Sequence, residues 1–399
     1  METKKLAEIG TVVTGKTPST SRRDYYDGDI PFVTPNELHA GRTVGQSAKT
    51  LSEAGLQSIK GSILEGTSVL VGCIGWDMGN VAMTNDRCAS NQQINAVTSI
   101  ISEVNPEYLY YWLSTKKDYL LSIASVTRTP ILSKSTFEQV KVPVPSRDVQ
   151  DGIARILASI DDQIATNDQV NDNLHAMLQT LYGYWFLQFD FPDKNGQPYR
   201  ASGGRMVWNN QLKREIPAGW LVASITDHAD VYQPKTISSR LFDDSHPFPV
   251  YGGGGYIGRF NQFNHQESEV IISCRGDCGR VYLTMPESWV TGNAMVVHPR
   301  GDCLPKEYLY LLLKNSNLEH YVTGSVQKQL TRQNFELLPI LVPSRDVLER
   351  FTSFTKITIS RQLEIVRENR KLQELRDWLL PMLMNGQATV TSSDKLSFT

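Results

Sequence analysis

Two long segments of the chain carry apolar side chains at seven-residue intervals. The first segment follows Pro145 and shows two such columns, four residues apart: Ile153, Ile160, Asn167, Leu174 and Leu181, and Leu157, Ile164, Asn171, Leu178 and Trp185. The second segment repeats the first column 198 residues later, at Phe351, Thr358, Ile365, Leu372 and Leu379. Columns of this kind are the a and d positions of a coiled coil. The pattern predicts two long helices whose interface is formed by these columns.

The length and polarity of these helices indicate how they are used. A helix of about 40 residues is on the order of 60 Å long, and neither helix is apolar all round, so each needs a partner face. Antiparallel pairing lets the chain follow the first helix, fold a second globular unit and return along the second. Asn at the central positions would weaken the seam and fix its register. The plainer alternative is that each helix packs only against its own globular unit.

Short apolar runs separated by Gly- and Asn-rich turns occupy the rest of the chain. Residues 69–71 and 94–101 have the apolar, β-branched character of strands, while 108–121 has a helical pattern. Strands mixed with short helices are typical of an α+β unit. We therefore expect α+β globular units around the two long helices.

The two globular segments repeat each other at offsets of 198 to 201 residues. Residues 144–149 return unchanged at 342–347, and 106–110 return nearly unchanged at 306–310. Further matches pair Asn95-Ala96 with Asn293-Ala294, and Cys73 and Gly75 with Cys274 and Gly276. The shared framework and the divergent loops suggest two readers of two different things, which favours recognition over a single active site. The predicted fold class is α+β: two similar α/β units joined by two long antiparallel coiled-coil helices, with a pseudo-two-fold internal repeat.

Breaker residues and the repeat together divide the chain into six parts. These are a first globular unit (1–145), a first helix (146–188), a linker rich in Pro, Gly, Ser and Asn (189–215), a second globular unit (216–343), a second helix (344–385) and a flexible polar tail (386–399).

Composition and charge narrow the class of protein. The 399 residues carry a net charge of −2, which argues against a free-standing DNA binder because phosphate neutralisation usually produces a basic domain. Residues 200–345 nevertheless hold 15 basic against 13 acidic side chains, so local basic loops, helped by partner proteins, would make any nucleic-acid contact. The chain contains no run of about 18 apolar residues, so no membrane-spanning helix is predicted. Its N-terminal residues do not lead into the apolar core of a signal peptide, so secretion is not expected. The five cysteines lack zinc-ligand spacing. We expect a cytoplasmic protein with reduced thiols.

Two nucleotide-binding patterns occur without their usual context. Residues 10–17 satisfy the P-loop pattern, but neither a buried strand before it nor a convincing helix after it is predicted. Residues 253–258 contain GxGxxG with no amphipathic helix behind it. The chain has no Pro-Pro dipeptide, which excludes the (Asp/Asn)-Pro-Pro-aromatic motif of amino-methyltransferases, and it shows no HExxH or nuclease carboxylate cluster. The sequence therefore predicts no catalytic residues. A nucleotide-dependent enzyme stays an alternative that rests on the P-loop match alone.

Several segments resemble one known family. Gly15-Lys16-Thr17-Pro18-Ser19 followed by residues 28–35 (Gly-Asp-Ile-Pro-Phe-Val-Thr-Pro) is similar to the opening of a target-recognition domain of type I restriction-modification specificity subunits. Residues 216–220 (Ile-Pro-Ala-Gly-Trp) resemble the entry to the second such domain. Residues 142–145 and 341–343 resemble the exits into the family's long helices, and 379–383 resembles the family's ending. The resemblance covers essentially the whole chain and the order of its parts.

This resemblance implies a non-catalytic DNA-reading subunit. Each target-recognition domain would read one half of a split, asymmetric DNA site, and the helix pair would set the gap between the halves. Family members bind two copies of an adenine-N6 methyltransferase subunit, and a restriction-translocase subunit can join. The methyltransferase would bring S-adenosylmethionine and the translocase ATP with Mg²⁺, so this chain would bind no cofactor and no metal itself.

The candidate DNA contacts come from residue chemistry in the loops. Arg and Lys suit guanine edges and phosphates, while Asn and Gln suit adenine. The candidates in the first unit are Lys16, Arg22, Arg23, Asn36, Trp76 and Arg128, and those in the second are Lys235, Arg275, Arg280 and Lys328. Each could instead be a solvated surface charge, and Trp76 either packs in a core or stacks on a base. Asp77 and Asp277 either accept a cytosine amino proton or organise their turns.

A different class of function fits the same pattern. A coiled-coil adaptor with two protein- or glycan-binding heads would also have a duplicated architecture, and near-neutral charge would be natural for it. Salt-dependent binding of duplex DNA in the presence of a methyltransferase subunit separates the two hypotheses. The DNA target, the gap length and the presence of a restriction subunit are not encoded in any motif of the chain.

Overall fold

Two long helices are the largest elements of the chain. They span Arg147–Tyr182, with 36 residues, and Arg345–Met384, with 40 residues, and are here called the first and second long helix. The computed structural model describes residues 2–39, 41–125, 128–301, 304–324, 328–390 and 396–398, so that Cys303 lies outside the described residues. The chain forms two compact units, one from 1–168 with 368–399 and the other from 169–367. Each long helix therefore contributes one part to each unit.

The first unit contains two four-stranded sheets. Its strands are β1 (Glu2–Lys5), β2 (Thr11–Thr14), β3 (Tyr26–Val33), β4 (Thr50–Leu51), β5 (Ile63–Leu64), β6 (Ser68–Gly72), β7 (Val81–Thr84), β8 (Cys88–Ser90), β9 (Ile94–Thr98) and β10 (Lys141–Val144). One sheet is antiparallel with the order β2-β9-β6-β7. The other has the order β4-β3-β8-β5 with β3 and β8 parallel. Strand β1 pairs antiparallel with β10 just before the first long helix.

The three central residues of strand β6 are all apolar because both faces of its sheet are buried. Val69 and Val71 belong to one core cluster, while Leu70 belongs to another with Ala82 and Ala96. Successive strand side chains point to opposite faces, so a strand between two cores needs an apolar residue at every position. The run at 69–71 is thus confirmed as a strand. Strand β9 stops at Thr98, earlier than the predicted residue 101, since Ser99 has a φ of 50°.

The predicted helix over 108–121 is divided in two. The short helices of this unit are Leu6–Ile9, Glu53–Gln57, Pro106–Ser114, Lys117–Ile123 and Lys134–Glu138. Asn105 caps the third of them, its side chain accepting from the backbone N–H groups of Glu107 and Tyr108. At the other end the Ser114 and Thr115 hydroxyls donate to backbone carbonyls of the preceding turn. Such bonds compete with helix propagation, which accounts for the break.

The second unit repeats this architecture. Its strands are β11 (Met206–Asn209), β12 (Arg214–Pro217), β13 (Leu221–Ser224), β14 (Ala229–Tyr232), β15 (Phe248–Gly252), β16 (Gly255–Phe260), β17 (Val270–Ser273), β18 (Val281–Leu283), β19 (Trp289–Val290), β20 (Ala294–Pro299), β21 (Val322–Thr323), β22 (Gln329–Leu330) and β23 (Pro339–Val342). Its short helices are Ile225–His228, Lys306–Lys314 and Arg332–Phe335. The sheet order β14-β20-β17-β18 matches β2-β9-β6-β7, and β13 pairs with β23 as β1 pairs with β10. The α+β class and the internal repeat are confirmed.

One of the sequence matches between the units is displaced in the structure. The Cys73 N–H donates to the Gln93 carbonyl at 2.7 Å, and the Cys274 N–H donates to the Asn293 carbonyl at 3.1 Å. Asn293 therefore takes the place of Gln93, two residues before Asn95. The predicted match of Asn95 with Asn293 is wrong because Asn95 is a buried strand residue whose side chain bonds Thr14 and the Leu132 carbonyl.

The predicted linker contains ordered structure. In the second half of the linker, strand β11 pairs antiparallel with β12. In its first part, Phe191 stacks on Trp220 with ring centroids 5.1 Å apart, and Phe189 meets the same indole edge-on at 5.7 Å. The segment is polar in composition, but its few aromatic side chains anchor it to the core of the second unit.

The end of the chain contains a hairpin where a flexible tail is expected. Strand β24 (Ala388–Val390) pairs antiparallel with β25 (Leu396–Phe398). Ala388 is 2% exposed and lies in the core cluster formed with the start of the first long helix. Gly386, with a φ of 73°, reverses the chain after the second long helix, so that the next residues run back over the first unit.

The long helices pair antiparallel within each unit. In the first unit, Leu157, Ile160 and Ile164 share a core cluster with Leu379 and Leu383. In the second unit, Trp185 packs against Phe351 with ring centroids 5.5 Å apart, and Gln362 donates to the Asn171 carbonyl. Residue numbers rise along one helix as they fall along the other, which establishes the antiparallel direction.

The predicted interface columns differ in burial along their length. Ile153, Ile160, Phe351, Ile365 and Leu379 are buried. Leu174, Leu181 and Leu372 are half-buried, and Leu181 and Leu372 pack against core clusters. Tyr108 and Tyr111 of the first globular unit join the cluster of Ile153 and Leu157. The long helices therefore pack both on each other and on their globular units. Within the described ranges, no helix has the length and apolar character needed to cross a membrane.

Candidate nucleic-acid interface

Four loops of the first unit are joined by backbone hydrogen bonds into one group, here called the first loop cluster. The loops are 15–17, 73–77, 91–93 and 128–132. The Lys16 N–H donates to the Ser90 carbonyl at 2.8 Å, beside the loop 91–93, whose Gln93 carbonyl accepts from Cys73. The Cys73 carbonyl accepts from the Leu132 N–H at 2.9 Å. Residues more than 100 positions apart in sequence thus share one edge of the sheet.

Three candidates lie in this cluster. Lys16, Trp76 and Arg128 are all exposed, and Trp76 is 97% exposed. The Gly75 N–H donates to the Pro130 carbonyl at 3.0 Å, which brings the Trp76 turn beside the loop of Arg128. This exposure excludes core packing for Trp76. A group of loops that presents an exposed indole and two exposed cations is suited to stacking and phosphate contact.

Asn36 is joined to the same cluster through a histidine. It lies, exposed, in the 3-10 turn Pro35–His39. The His39 Nε2 atom lies 2.8 Å from the Asp77 Oδ1 atom, and Asp77 also accepts from Asn80 at 3.4 Å. Asp77 therefore organises the turn, the second of the two roles predicted for it.

Arg22 and Arg23 lie on a different part of the first unit. Both are exposed, around the 3-10 turn Arg23–Tyr25. Arg22 makes two hydrogen bonds to Asp24, at 2.8 and 2.7 Å, and its guanidinium lies over the Tyr25 ring at 4.7 Å. Contacting DNA would require Arg22 to exchange these partners, so its side chain is less available than that of Lys16.

The second unit builds an equivalent group, here called the second loop cluster. It consists of the loops 233–236, 252–255, 274–280, 291–293 and 324–329, of which residues 325–327 lie outside the described residues. The Leu330 N–H donates to the Cys274 carbonyl at 3.0 Å, as Leu132 does to Cys73 in the first unit. The Cys278 sulfur lies 3.2 Å from both the Lys328 and the Cys274 carbonyl oxygens, between which its single hydrogen is shared. The duplication thus preserves the bonds that assemble the loops while their exposed residues differ.

All four candidates of the second unit are exposed in or beside this cluster. They are Lys235, Arg275, Arg280 and Lys328. The backbone of Arg275 forms an isolated antiparallel β-bridge with the backbone of Gln329, the residue that follows Lys328. Arg280 makes an ion pair with Asp277 at 2.7 Å, so Asp277, like Asp77, holds its own turn. The result is a group of cations without a counterpart of Trp76 among the candidates.

Several polar residues of the first cluster were not singled out by the sequence pattern. Thr17 donates to Gln92 at 2.7 Å, and Lys117 donates to Asn80 at 3.1 Å. His39 bridges to Asp77. The available signal was the polar run Asn91-Gln92-Gln93 just before a buried strand, because amide side chains at the end of a strand are suited to reading adenine.

The two nucleotide-binding patterns take other conformations. Residues 11–14 of the P-loop pattern form strand β2, and the next helical element after Thr17 is the 3-10 turn Arg23–Tyr25. A Cβ atom at Gly15 would lie 2.4 Å from the Ser90 carbonyl oxygen, so this loop is closed against the protein. Gly253 and Gly254 form the turn between β15 and β16, and Gly255 is the first residue of β16. Neither pattern opens a helix, as phosphate cradles do.

The buried thiols do not have the properties of nucleophiles. Burial raises the pKa of the Cys73 thiol to about 12 and the pKa values of the Cys88 and Cys274 thiols to about 11. A protonated, buried thiol is inert at neutral pH. Among the described residues, no group of three or more His, Cys, Asp or Glu side chains could hold a metal ion.

Comparison with known proteins places this architecture. The family model for the type I restriction modification DNA specificity domain matches residues 1–176 and 217–366. The chain is 26% identical over 417 aligned positions to the type I restriction enzyme MjaIX specificity subunit of Methanocaldococcus jannaschii, covering 98% of this chain and 94% of that protein. It is 31% identical over 183 positions to the HindI specificity subunit of Haemophilus influenzae, covering 45% of this chain and 39% of that protein.

A solved structure shares the fold. The S subunit of a type I restriction-modification system from M. genitalium aligns with a TM-score of 0.62 at 13% identity, covering 96% of this chain and 95% of that one. At this identity the alignment supports the fold, while the family model carries the assignment. The matched ranges include both loop clusters and most of both long helices. The chain belongs to the family of type I restriction-modification specificity subunits.

Proposed function

We propose that this chain is the DNA sequence-specificity subunit of a type I restriction-modification complex. Each loop cluster reads one half of a bipartite, asymmetric site, and the paired long helices set the gap between the halves. The observation that carries the proposal is the duplicated loop cluster: the bonds that assemble it recur in both units, while the exposed side chains differ. Two similar scaffolds with different reading residues suit a site made of two different halves.

The partners follow from the same proposal. Two adenine-N6 methyltransferase subunits dock on the long helices and bring S-adenosylmethionine, and a restriction-translocase subunit can join with ATP and Mg²⁺. The chain itself is non-catalytic and acts in the cytoplasm. The inert thiols and the closed P-loop pattern support this division of labour, as does the net charge of −2, because a weakly charged reader needs partner proteins to add phosphate contacts.

Mapping N6-methyladenine in cells tests the proposal directly. The chain is co-expressed with its methyltransferase subunits in a host without adenine methylation, and methylated sites are aligned. The expected motif has two short blocks separated by a gap of fixed length. Failure to find any split motif, together with binding that does not depend on salt, would favour the adaptor hypothesis.

Trp76 provides a residue-level test with a matched control. Trp76→Ala should weaken methylation at sites of the motif, because stacking of an aromatic side chain on a base contributes about 1–3 kcal/mol. Trp208→Ala removes a second exposed indole, on strand β11 outside both loop clusters. It should leave the methylation pattern unchanged. Equal effects of the two substitutions would contradict the assignment of the first loop cluster to DNA.

A further inference from the structure

Arg42 ties three elements of the first unit together. Its carbonyl accepts from the Met83 N–H at 2.8 Å, which holds its backbone along the edge of strand β7. Its side chain is 14% exposed and reaches Glu107 at 2.6 Å and Asp162 at 2.5 Å. Glu107 belongs to the helix Pro106–Ser114, and Asp162 belongs to the first long helix. The globular part of the first unit, residues 1–145, is here called the first recognition unit. One guanidinium therefore joins a sheet and a helix of this recognition unit to a long helix.

A second set of bonds lies beside Arg42. The Tyr111 hydroxyl donates to Asp161 Oδ2 at 2.6 Å, and Arg376 of the second long helix donates to Asp161 Oδ1 at 3.0 Å. Asp161 is 11% exposed, so these partners supply hydrogen bonds that water would otherwise make. Together with Arg42, Glu107 and Asp162, these residues form what is here called the charged joint between the first recognition unit and the long helices.

For three residues of the charged joint, the duplication places apolar side chains at the equivalent positions of the second unit. The helices Pro106–Ser114 and Lys306–Lys314 begin 200 residues apart, and the long helices begin 198 residues apart. Tyr111 thus corresponds to Leu311 and Asp161 to Ile359, while Arg376 corresponds to Leu178 in the first long helix. All three apolar side chains are buried in one core cluster. These three side chains are here called the apolar joint.

The charged joint and the apolar joint differ in how strictly they depend on the geometry of their contacts. An apolar contact is non-directional and depends on area. Charge-assisted hydrogen bonds depend on angle and distance, and a charge left without its partner inside the protein is costly. The charged joint therefore holds the first recognition unit in one orientation on the long helices. Salt screens the outer pair of Arg42 and Asp162 and so weakens this restraint.

We propose that Arg42 is a positioning residue that fixes the orientation of the first recognition unit on the paired helices, and with it the gap between the two DNA half-sites. The inference rests on the proposed function. It assigns the selection of gap length partly to the charged joint, and it makes this selection salt-dependent for the first recognition unit.

The test uses the full chain assembled with its methyltransferase subunits. Methylation is measured on the cognate site and on sites whose gap is one base pair longer or shorter, and the ratio of the rates defines gap discrimination. Arg42→Met should lower this ratio about fivefold to tenfold, the range expected for a partly buried ion pair, with both half-site sequences unchanged. Arg42→Lys, which keeps the charge but cannot bridge both carboxylates, should be intermediate.

Arg87→Met is the matched control. Arg87 pairs with Glu53 and Glu65, which both belong to the same recognition unit and to neither long helix. Its removal should leave gap discrimination unchanged. If Arg42→Met and Arg87→Met give the wild-type ratio on a wild-type split motif, the inference is overturned and the proposed function stands. If the wild-type complex methylates no split motif, the proposed function itself fails.

A second variant decides the question even if Arg42→Met does not assemble. Asp162→Asn removes the charge of the outer pair while keeping the size of the side chain. Raising the salt concentration should lower gap discrimination of the wild type more than that of Asp162→Asn, each measured relative to its own value at low salt. An identical salt dependence in both would overturn the proposal.

Discussion

At the scale of single residues, Trp76 is notable because it gains nothing from burial. Aromatic side chains bury large areas in folded proteins. This indole is nevertheless 97% exposed, although the turn that carries it lies between buried residues. Cys73 and Met78, on either side of it, are buried. The backbone of the turn is thus held in place while its one large side chain is presented to solvent, an arrangement suited to a ligand surface.

Polar residues inside the helix pair have the opposite role. The Asn167 amide donates to Asn369 Oδ1 at 2.8 Å, and the Asn369 amide donates to Asp168 at 2.7 Å. Both asparagines are buried. Paired buried amides are satisfied in only one alignment of the two helices, so they specify register at some cost in stability.

Asn369→Leu should destabilise the protein by about 1–3 kcal/mol, since it leaves buried polar partners unsatisfied. Asn167→Leu combined with Asn369→Leu should recover most of that loss because both sides become apolar. Asn173→Leu, at an exposed position of the first long helix, is the control. Thermal unfolding measures all three. If Asn369→Leu cost no more than Asn173→Leu, the asparagine pair would not hold the register.

At the scale of elements, the hairpin at the end of the chain closes against the first long helix. A Cβ atom on Gly152 would lie 2.9 Å from Val390 Cγ1, whereas nothing lies within 4 Å of one on Gly183. Gly152 is therefore required by the docked strand, even though Gly in a helix is unfavourable. The long helix and the hairpin have to be considered as one packed element.

Gly152→Ala should destabilise the protein by about 1–2 kcal/mol through overpacking. In a Val390→Ala background the same substitution should stabilise by about 0.5–1 kcal/mol, the usual gain of Ala over Gly in a helix. Gly183→Ala, at an open position, serves as the comparison. Denaturant unfolding of the wild type, the three single variants and the double variant checks the sign. A stabilising Gly152→Ala in the wild-type background would show that the hairpin does not dock.

At the scale of the whole molecule, the proposed function makes the two recognition units modular. Residues 216–343 carry their own loop cluster, and β13 and β23 close the unit before the second long helix. Replacing 216–343 by the corresponding segment of a relative should change one block of the methylated motif and leave the other intact. Methylome sequencing reads both blocks at once. A change in both blocks would mean that the units do not read independently.

The proposed ruler function predicts the effect of lengthening a helix. Inserting four residues after Asn171 adds about one turn, or roughly 6 Å, while nearly preserving the helical face. This corresponds to one or two base pairs, so the gap should lengthen while the bases of both half-sites stay the same. The same methylome measurement applies. An active insertion variant with the original gap would show that the helices do not set the spacing.

Much of this architecture was predictable because it depends on local or periodic patterns. Seven-residue columns predict paired helices wherever they persist, and the motif at 144–149 with its copy at 342–347 locates both helix starts. The exposed candidates follow from residue type, since charged side chains in loops are rarely buried. The sequence pattern wrongly matched Asn95 with Asn293. Both are followed by Ala, but Asn95 lies in a buried strand and Asn293 lies in a loop just before a strand.

The sequence by itself determined the duplication, the long helices, the family and the lack of a catalytic motif, because each of these is encoded in contiguous or periodic residues. Only the tertiary structure decided which loops meet, how Asp77 and Asp277 are used, and that Trp76 is exposed. It also decided that Ala388 is buried and that Arg42 reaches Asp162, 120 residues away. Such contacts depend on how sheets and helices pack in three dimensions, and no local pattern in the chain records the partner of a side chain that distant.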